Sequence, residues 1–282
     1  MPLPTDFNLD GFVAQVLGED LGAGGDVTSK ATIPADARFT ADMNCREPIV
    51  VAGLEIAAEF FRKLDPEVTI DQLSEDGERV AAGMVLMRFS GNARAMLAAE
   101  RPALNTVQHL SGIATLTRRY VDAIEGTGAV VIDTRKTIPG LRVLEKYAVR
   151  MGGAQNHRMR LDDGVLIKDN HVAVCGGVAE AVRAAKAANT GLQVQVEVDR
   201  IAQIEPALAA SADRLLLDNM PPPVLREAVA LVAGRVPLEA SGGVNFDTIR
   251  AIAETGVDFI SAGRITQSAP AVDIGLDYAM SR

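Results

Sequence analysis

Basic residues cluster in three short stretches of the second half of the chain. In order, they contain Arg135, Lys136, His157, Arg158 and Lys168. A guanidinium group binds a planar carboxylate through two parallel hydrogen bonds, and a lysine ammonium offers a compact charge suited to phosphate. His157, beside an arginine, is also a candidate general acid or base. These residue types predict a site for an anionic substrate.

Lys168 has a second interpretation, because it ends the apolar run Val165–Ile167. A desolvated lysine can attack a carbonyl carbon and form a Schiff base, as in a lyase of the aldolase type. Spacing alone does not decide between this role and a simple contact with an anion.

Two acidic residues follow the basic ones along the chain. Glu197 lies within the apolar run Val194–Val198, and Asp218 follows Leu217. Two carboxylates opposite a cationic wall would repel an anionic substrate unless a metal ion lay between them. Mg²⁺ prefers oxygen ligands and shares its coordination with substrate phosphates. We therefore expect Mg²⁺ as a cofactor, held by Glu197 and Asp218 directly or through water. The simpler alternative is that both carboxylates pair with lysines.

Two glycine-containing loops come last. Ser241, Gly242 and Gly243 follow one apolar run and precede a helix expected to begin near Phe246, and Gly263 precedes Arg264 after the next run. Exposed backbone amides in such loops bind anions, and phosphate sites of β/α barrels often use the last two loops. Two consecutive loops favour a phosphate site over a pair of tight turns.

Apolar runs alternate with helical segments through this half of the chain. The runs begin near residues 130, 165, 194, 214, 237 and 258. Such alternation predicts parallel strands with right-handed crossovers, in a barrel or an open doubly wound sheet. Valines and polar residues alternate over residues 193–199, which favours a barrel with Glu197 facing its interior. We expect an α/β protein with an incomplete, TIM-like β/α barrel of about six strands over residues 113–269.

The first part of the chain has a different pattern. Short apolar runs and turns over residues 1–112 indicate a separate α+β domain. A helix is expected from Ala93 to about Leu110, with Pro102 starting or kinking it. The C-terminal tail, residues 270–282, is expected to pack back on this domain.

Composition limits the classes of partner. The formal net charge is −9, which disfavours nucleic acid, because binding to phosphates dominates that affinity. No uncharged apolar run reaches the roughly 18 residues of a membrane span, and residues 1–6 lack the start of a secretory signal. We expect a cytoplasmic protein with no membrane partner. Cys45 and Cys175 fit no metal-ligand spacing and are expected to be reduced, buried thiols.

Several motifs carry a resemblance to one family, the quinolinate phosphoribosyltransferases, over nearly the whole chain. They occupy residues 19–20, 25–29, 100–101, 103–105, 110–115, 133–142, 145–150, 156–158, 166–171 and 273–277. The chain departs from the family at Gln267, where histidine is common, and at Pro102.

The resemblance implies transfer of phosphoribosyl from phosphoribosyl pyrophosphate to quinolinate, with Mg²⁺ and decarboxylation, giving nicotinate mononucleotide for NAD biosynthesis. It implies a homodimer, or a higher oligomer, with an open-faced N-terminal sandwich and a shared active site that Arg101 enters from the partner subunit. Carried over by motif, the residues for quinolinate are Arg101, Arg135, His157, Arg158 and Lys168. Those for the phosphoribosyl and phosphate groups are Lys136, Ser241, Gly242, Gly243, Gly263 and Arg264. The residues implied in catalysis are Lys136, Lys168, Glu197 and Asp218.

Three alternatives remain open. A related phosphoribosyltransferase for another heterocyclic acid would share the phosphate site and differ at the carboxylate wall. A barrel lyase would use Lys168 as a Schiff base. A noncatalytic relative would keep the basic pocket and bind ligand without turnover.

Overall fold

The computed structural model describes Leu3 and residues 7–278, so residues 1, 2, 4–6 and 279–282 lie outside the description. The described residues form two compact units. The first comprises those within Met1–Arg118, Val143–Gly153 and Ala269–Arg282, and the second comprises Arg119–Arg142 and Ala154–Ser268. The domain limits predicted at residues 112 and 269 stay predictions, and four residues of the predicted tail are not described.

The first unit contains a four-stranded antiparallel sheet and a two-stranded one. The strands are β1 (Arg38–Cys45), β2 (Ile49–Val50), β3 (Thr69–Gln72), β4 (Arg79–Val80), β5 (Val85–Asn92) and, at the end of the chain, β12 (Ile274–Tyr278). Their order in the larger sheet is β12-β1-β5-β3, and β2 pairs with β4.

One face of the larger sheet is buried and the other is polar. Along β1, Ala41 and Met43 are fully buried, whereas Asp42 and Asn44 alternate with them and are partly exposed. Asp42 forms an ion pair with Arg88 of β5, at 2.7 Å between Oδ1 and Nε. A sheet that packs on one face only matches the predicted open-faced sandwich.

Five helices carry residues of the first unit. They are α1 (Leu9–Leu21), α2 (Val27–Thr32), α3 (Leu54–Leu64), α4 (Ala93–Ala123) and α5 (Arg142–Met151). The expected end of α4 near Leu110 was wrong, because the helix continues to Ala123 with Pro102 inside it. A proline inside a helix costs about 3 kcal/mol. Burial of the apolar face of α4, including Leu104 and Val107, offsets that loss.

The second unit contains six parallel strands with helices between them. The strands are β6 (Val130–Ile132), β7 (Val165–Ile167), β8 (Val194–Val198), β9 (Arg214–Asp218), β10 (Leu238–Ser241) and β11 (Phe259–Ser261). The helices are α6 (Asp169–Cys175), α7 (Val178–Ala187), α8 (Ile204–Ala209), α9 (Pro222–Val232), α10 (Ile249–Ala253) and α11 (Arg264–Gln267), with a 3-10 turn at Ile201–Gln203.

The order of these strands is that of an incomplete barrel. It runs β6-β11-β10-β9-β8-β7, so the first strand pairs with the last, and β6 and β7 are the two edges. Apart from the gap between β6 and β7, this is the circular strand order of a β/α barrel, whereas an open doubly wound sheet does not pair its first strand with its last. The predicted six-stranded, incomplete β/α barrel is confirmed.

Two smaller expectations have different outcomes. Cys45 is buried, as predicted, but Cys175 is exposed, because it lies on α6, a short helix without buried residues. In the part of the chain that the structure describes, none of the helices is both long and apolar enough to cross a membrane.

Candidate active site

A cavity of about 720 Å³ lies within the second unit. Parallel strands bring their carboxyl ends to the same edge of the sheet, so the segments after them meet there. The cavity residues that the sequence singled out are Arg135, Lys136, His157, Arg158, Lys168, Asp218, Ser241, Gly242, Gly243, Gly263, Arg264 and Gln267. The structure therefore brings nearly all of the predicted site residues of the barrel together.

Two guanidinium groups dominate one part of the cavity wall. Burial, and then the positive charge of Arg135, lower the pKa of Arg158 from its usual value. The Nε atom of Arg135 is buried without a hydrogen-bond partner among the described residues. A buried donor without a partner is costly, and like charges repel, so an anionic ligand with several oxygens would relieve both penalties.

The segment that carries His157 and Arg158 is fixed by Asp133. Asp133 is fully buried at the end of β6, and its Oδ1 accepts a hydrogen bond of 2.8 Å from the backbone N–H of His157. Its Oδ2 accepts one of 2.6 Å from Asn156 Nδ2. The sequence placed Asp133 at a strand end but gave it no role. The structure shows that it anchors the loop bearing two predicted ligand-binding residues.

Lys168 and Glu197 form an ion pair, with 2.8 Å between Nζ and Oε2. Lys168 lines the cavity, whereas Glu197, on β8, contacts the lysine and is not itself a lining residue. A Schiff-base lysine is usually desolvated. The Lys168 side chain is 47% exposed and has a carboxylate partner, so the cavity favours a binding role for its ammonium group.

Asp218 lines the cavity at the end of β9. Leu216 pairs in register with Glu197, and Asp218 lies two residues further along, so the two carboxylates share a face of the sheet. No group of three or more His, Cys, Asp or Glu side chains within the described range could hold a metal ion by itself. This arrangement fits Mg²⁺ only where a substrate supplies further oxygen ligands.

The two glycine loops approach other chain segments too closely for a side chain. A Cβ on Gly242 would lie 2.1 Å from Asn219 Oδ1, and one on Gly263 would lie 2.9 Å from Lys136 Cδ. Gly242 and Gly243 also have positive φ angles of 91° and 62°. These glycines leave their backbones exposed to the cavity.

The helix expected to begin near Phe246 begins at Ile249 instead. Asn245 forms a polar turn before it, accepting hydrogen bonds from the backbone N–H groups of Asp247 and Thr248. Because α10 and α11 are both very short, the backbone groups offered to the cavity here belong to the loops rather than to helix N-termini.

Some polar residues in or beside the cavity were not among the site residues predicted from the sequence. Asn219 donates a 2.7 Å hydrogen bond to Asp218 Oδ2, and its backbone N–H donates to Ser241 O at 2.8 Å, which joins the acidic and glycine-containing loops. Glu239 lines the cavity although it is only 1% exposed, and Gln195 contacts it from β8 without lining the cavity itself. The available signals were the position of Glu239 between Leu238 and Ala240, and the alternation of Gln195 with valines, which it shares with Glu197.

Arg101 is the predicted site residue that the structure does not bring to this cavity. It lies on α4 in the first unit, with its side chain 61% exposed and 3.7 Å from Glu100. The expectation that Arg101 acts from a partner subunit stays a prediction.

The chain matches known families over nearly all of its length. Residues 26–111 match the family described as "Quinolinate phosphoribosyl transferase, N-terminal domain", and residues 113–277 match the corresponding C-terminal domain family.

Relatives with similar sequences and structures bear the corresponding names. The "Nicotinate-nucleotide pyrophosphorylase [carboxylating]" of Mycobacterium leprae is 45% identical over 94% of this chain and 95% of its own. The probable enzyme of the same name from Bacillus subtilis is 41% identical over 93% and 91%. The solved structure of the nicotinate-nucleotide pyrophosphorylase from Francisella tularensis superposes with a TM-score of 0.94 at 41% identity, covering 99% of this chain and 98% of that one. The chain therefore belongs to the quinolinate phosphoribosyltransferase family, whose members are pentosyltransferases.

Proposed function

We propose that this protein transfers the phosphoribosyl group of phosphoribosyl pyrophosphate to quinolinate and releases carbon dioxide. The products are nicotinate mononucleotide and pyrophosphate, in a step of NAD biosynthesis. The observation that carries the proposal is the pair of guanidinium groups of Arg135 and Arg158, whose charges repel and of which Arg135 has a buried donor with no partner among the residues that the structure describes. Two adjacent carboxylates on a planar ring match the charge and the donors of this wall.

The roles implied by the family resemblance fall on residues that line the cavity. Arg135, His157, Arg158 and Lys168 would hold quinolinate. Lys136, with the loops at Ser241–Gly243 and Gly263–Arg264, would hold the phosphoribosyl donor. Gln267 replaces the family's common histidine there and would contact phosphate by hydrogen bonding without a charge.

Mg²⁺ would be held by Asp218 and Glu197 together with oxygens of the pyrophosphate group. When bound, the ion offsets the charge that develops on the departing pyrophosphate. Asn219 holds the Asp218 side chain by a hydrogen bond, and Lys168 holds the Glu197 side chain by another. Both carboxylates are therefore already oriented in the free protein.

The chemistry proceeds in two steps. The pyridine nitrogen forms a bond to the anomeric carbon of ribose while the bond from that carbon to pyrophosphate breaks, and the leaving oxygen takes the electron pair. Lys136 and Lys168 stabilise the negative charge that develops on the departing pyrophosphate. The ring nitrogen is then cationic. The electron pair left on the adjacent carbon by loss of carbon dioxide is therefore stabilised beside a positive charge, until a proton replaces the carboxylate.

The active protein is proposed to be a homodimer in which Arg101 of each subunit completes the partner's cavity. The exposed position of its side chain on α4, 3.7 Å from Glu100, leaves its guanidinium group accessible for contacts beyond its own chain. The cytoplasmic location expected from the sequence stays a prediction.

The test is the reaction itself, with the full chain. Purified protein given quinolinate, phosphoribosyl pyrophosphate and Mg²⁺ is expected to release pyrophosphate and, from quinolinate labelled at its 2-carboxyl group, labelled carbon dioxide. Omitting the phosphoribosyl donor should abolish both, because decarboxylation needs the alkylated ring nitrogen. Release of pyrophosphate with nicotinate but not with quinolinate would replace the proposal with a related transferase.

Lys168→Arg separates the transferase from the lyase. Arginine keeps the positive charge but cannot form a Schiff base, so partial activity of this variant supports the role proposed here. Trapping of a carbonyl substrate on Lys168 by borohydride would instead favour a lyase. Binding of both ligands without any pyrophosphate release would indicate a noncatalytic relative.

A further inference from the structure

A buried carboxylate lies in the wall of the cavity and has no role in the chemistry described above. Glu239 is 1% exposed, and its Oε2 lies 2.8 Å from Nη2 of Arg214, whose guanidinium group stacks 3.9 Å from the centroid of the Phe259 ring. A buried ion pair costs several kcal/mol in lost hydration, and its attraction often does no more than balance that cost. Stability alone therefore gives a weak reason for this pair.

Glu239 determines the orientation of the neighbouring amide. Gln195 Nε2 donates a 2.8 Å hydrogen bond to Glu239 Oε2. An ionised carboxylate only accepts hydrogen bonds, so the amide nitrogen must face it and the amide oxygen must face the other way. That oxygen, Gln195 Oε1, lies 3.1 Å from His157 Nε2. Since an amide oxygen also only accepts, His157 Nε2 carries the proton.

The other nitrogen of the same ring faces the backbone of the next residue. The backbone N–H of Arg158 donates to His157 Nδ1 at 2.7 Å, which requires Nδ1 to be unprotonated. All donors therefore point in one direction, from Arg158 through His157 and Gln195 to Glu239. We name this series of hydrogen bonds the Glu239 relay.

The charge of Glu239 is maintained despite its burial. Burial by itself raises the pKa of this carboxyl group, but His157, whose Nε2 also lies 3.4 Å from Glu239 Oε2, together with the charge of Arg214 and the hydrogen bond from Gln195, holds it below its usual range. An ionised Glu239 keeps the relay in one direction.

We propose that Glu239 is a positioning residue for the diacid substrate, acting through Gln195 and His157 on the backbone of Arg158. The relay ends at the backbone N–H of Arg158 and so fixes the position of the peptide group from which the Arg158 side chain extends into the cavity. A further hydrogen bond of 2.8 Å, from Arg158 Nη1 to Gly164 O, holds the guanidinium group. The identity of the ligand in this proposal rests on the proposed function. The direction of the hydrogen bonds in the relay is independent of that function.

Ring-nitrogen NMR tests the direction of the relay directly. The chain has three histidines, so protein labelled with ¹⁵N-histidine gives few ring signals, and His157 is assigned by its loss in His157→Asn. We expect wild-type His157 to carry a proton on Nε2 and none on Nδ1. In Glu239→Gln the new amide can donate to Gln195 Oε1 and turn that side chain round, so the Nε2–H signature of His157 is lost.

The same variant is expected to change substrate affinity selectively. The KM for quinolinate should rise about tenfold or more, the loss expected when a hydrogen bond to a charged group is misplaced. The KM for phosphoribosyl pyrophosphate and kcat should change far less, because the relay ends at Arg158. A merely structural ion pair would affect all three constants together.

Glu145→Gln is the matched control. Glu145 is also fully buried, and its Oε1 lies 2.9 Å from His109 Nε2, but it belongs to the first unit. This variant should change the ring signals of His109 and leave those of His157 as in the wild type.

An exchange of the two side chains provides a rescue. In the double variant Gln195→Glu, Glu239→Gln, the carboxylate at position 195 accepts from His157 Nε2 directly and from the amide at position 239. The direction of the relay is restored, so the Nε2–H signature and the quinolinate KM should return towards their wild-type values. This variant keeps the net charge and the side-chain volumes, and it tests the proposal even if Glu239→Gln does not fold.

Three results would overturn the proposal. They are a proton on Nδ1 of His157 in the wild type, an unchanged quinolinate KM in Glu239→Gln, and a folded double variant without recovery. If the wild type does not act on quinolinate, the proposed function fails, whereas the NMR measurement still tests the relay.

Discussion

Arg135 and Arg158 show how single residues can be placed for binding at a cost to the free protein. Burial, and then the charge of Arg135, lower the pKa of Arg158, and Arg135 Nε remains buried without a partner among the described residues. Groups that a ligand must neutralise are unfavourable until it binds. Removing one of them should weaken binding without weakening the fold.

We predict that Arg135→Ala raises the KM for quinolinate roughly 10- to 100-fold, the loss expected from one or more hydrogen bonds to a charged group. Thermal unfolding of the same variant should occur at the wild-type temperature or above it, because the repulsion of Arg158 and an unsatisfied donor are both removed. Steady-state kinetics and differential scanning calorimetry measure the two effects.

Arg160→Ala is the control for this prediction. Arg160 lies two residues after Arg158 but is exposed, pairs with Asp162 at 2.9 Å and does not line the cavity. An exposed ion pair contributes little, so both measurements should stay near wild type. A lower melting temperature for Arg135→Ala with an unchanged KM would show that Arg135 is a structural residue.

Among the elements, helix α4 and strand β12 depend on one close contact. A Cβ on Gly112 would lie 2.1 Å from the backbone oxygen of Pro270, so only glycine lets the chain before β12 approach the helix. Two hydrogen bonds flank the contact, from Val272 N–H to Gln108 O at 3.2 Å and from Gln108 Nε2 to Ile274 O at 2.6 Å.

We predict that Gly112→Ala destabilises the protein by about 1 to 3 kcal/mol, the usual cost of overpacking a well-packed contact. The displacement should also expose β12, so hydrogen exchange of the amides of Ile274–Tyr278 should become faster. Gly18→Ala is the control, because Gly18 lies on an exposed face of α1 with nothing within 4 Å of its Cβ position. Alanine there should stabilise the helix by roughly 0.5 to 1 kcal/mol. Unchanged exchange in β12 of the Gly112 variant would contradict the prediction.

For the whole molecule, the site is proposed to need two chains. Arg101 is exposed on α4 and is absent from the cavity lining, although it is a site residue by resemblance to the family. The proposed homodimer would supply it from the partner subunit.

We predict that Arg101→Ala folds and dimerises but loses activity, and that Arg135→Ala has the defect described above. When the two variants are mixed, each heterodimer contains one intact site, formed by Arg135 of one chain and Arg101 of its partner. Random assembly should then restore roughly one quarter of wild-type activity. Analytical ultracentrifugation establishes whether dimers form. Heterodimers without restored activity would exclude a shared site.

The functional residues at the ends of the barrel strands could be predicted from the sequence, because they directly follow the apolar runs along the chain. Apolar runs alternating with helices predicted the parallel barrel, and residues directly after those runs, such as Lys168 and Asp218, do line the cavity. The carboxyl ends of parallel strands meet at one edge whatever the details of packing. The end predicted for α4 near Leu110 was wrong, because burial of one face continues beyond Leu110 and the helix runs to Ala123.

The tertiary structure alone decided which polar groups touch. Asp133 anchors the loop of His157, and Glu239 reaches His157 through Gln195, although these residues are far apart in the chain. No sequence period encodes such contacts, since each depends on the register of neighbouring strands and on which side chains the barrel directs inward. The chain itself determined the kinds of charge available for binding, and the folded barrel determined the neighbours that orient them.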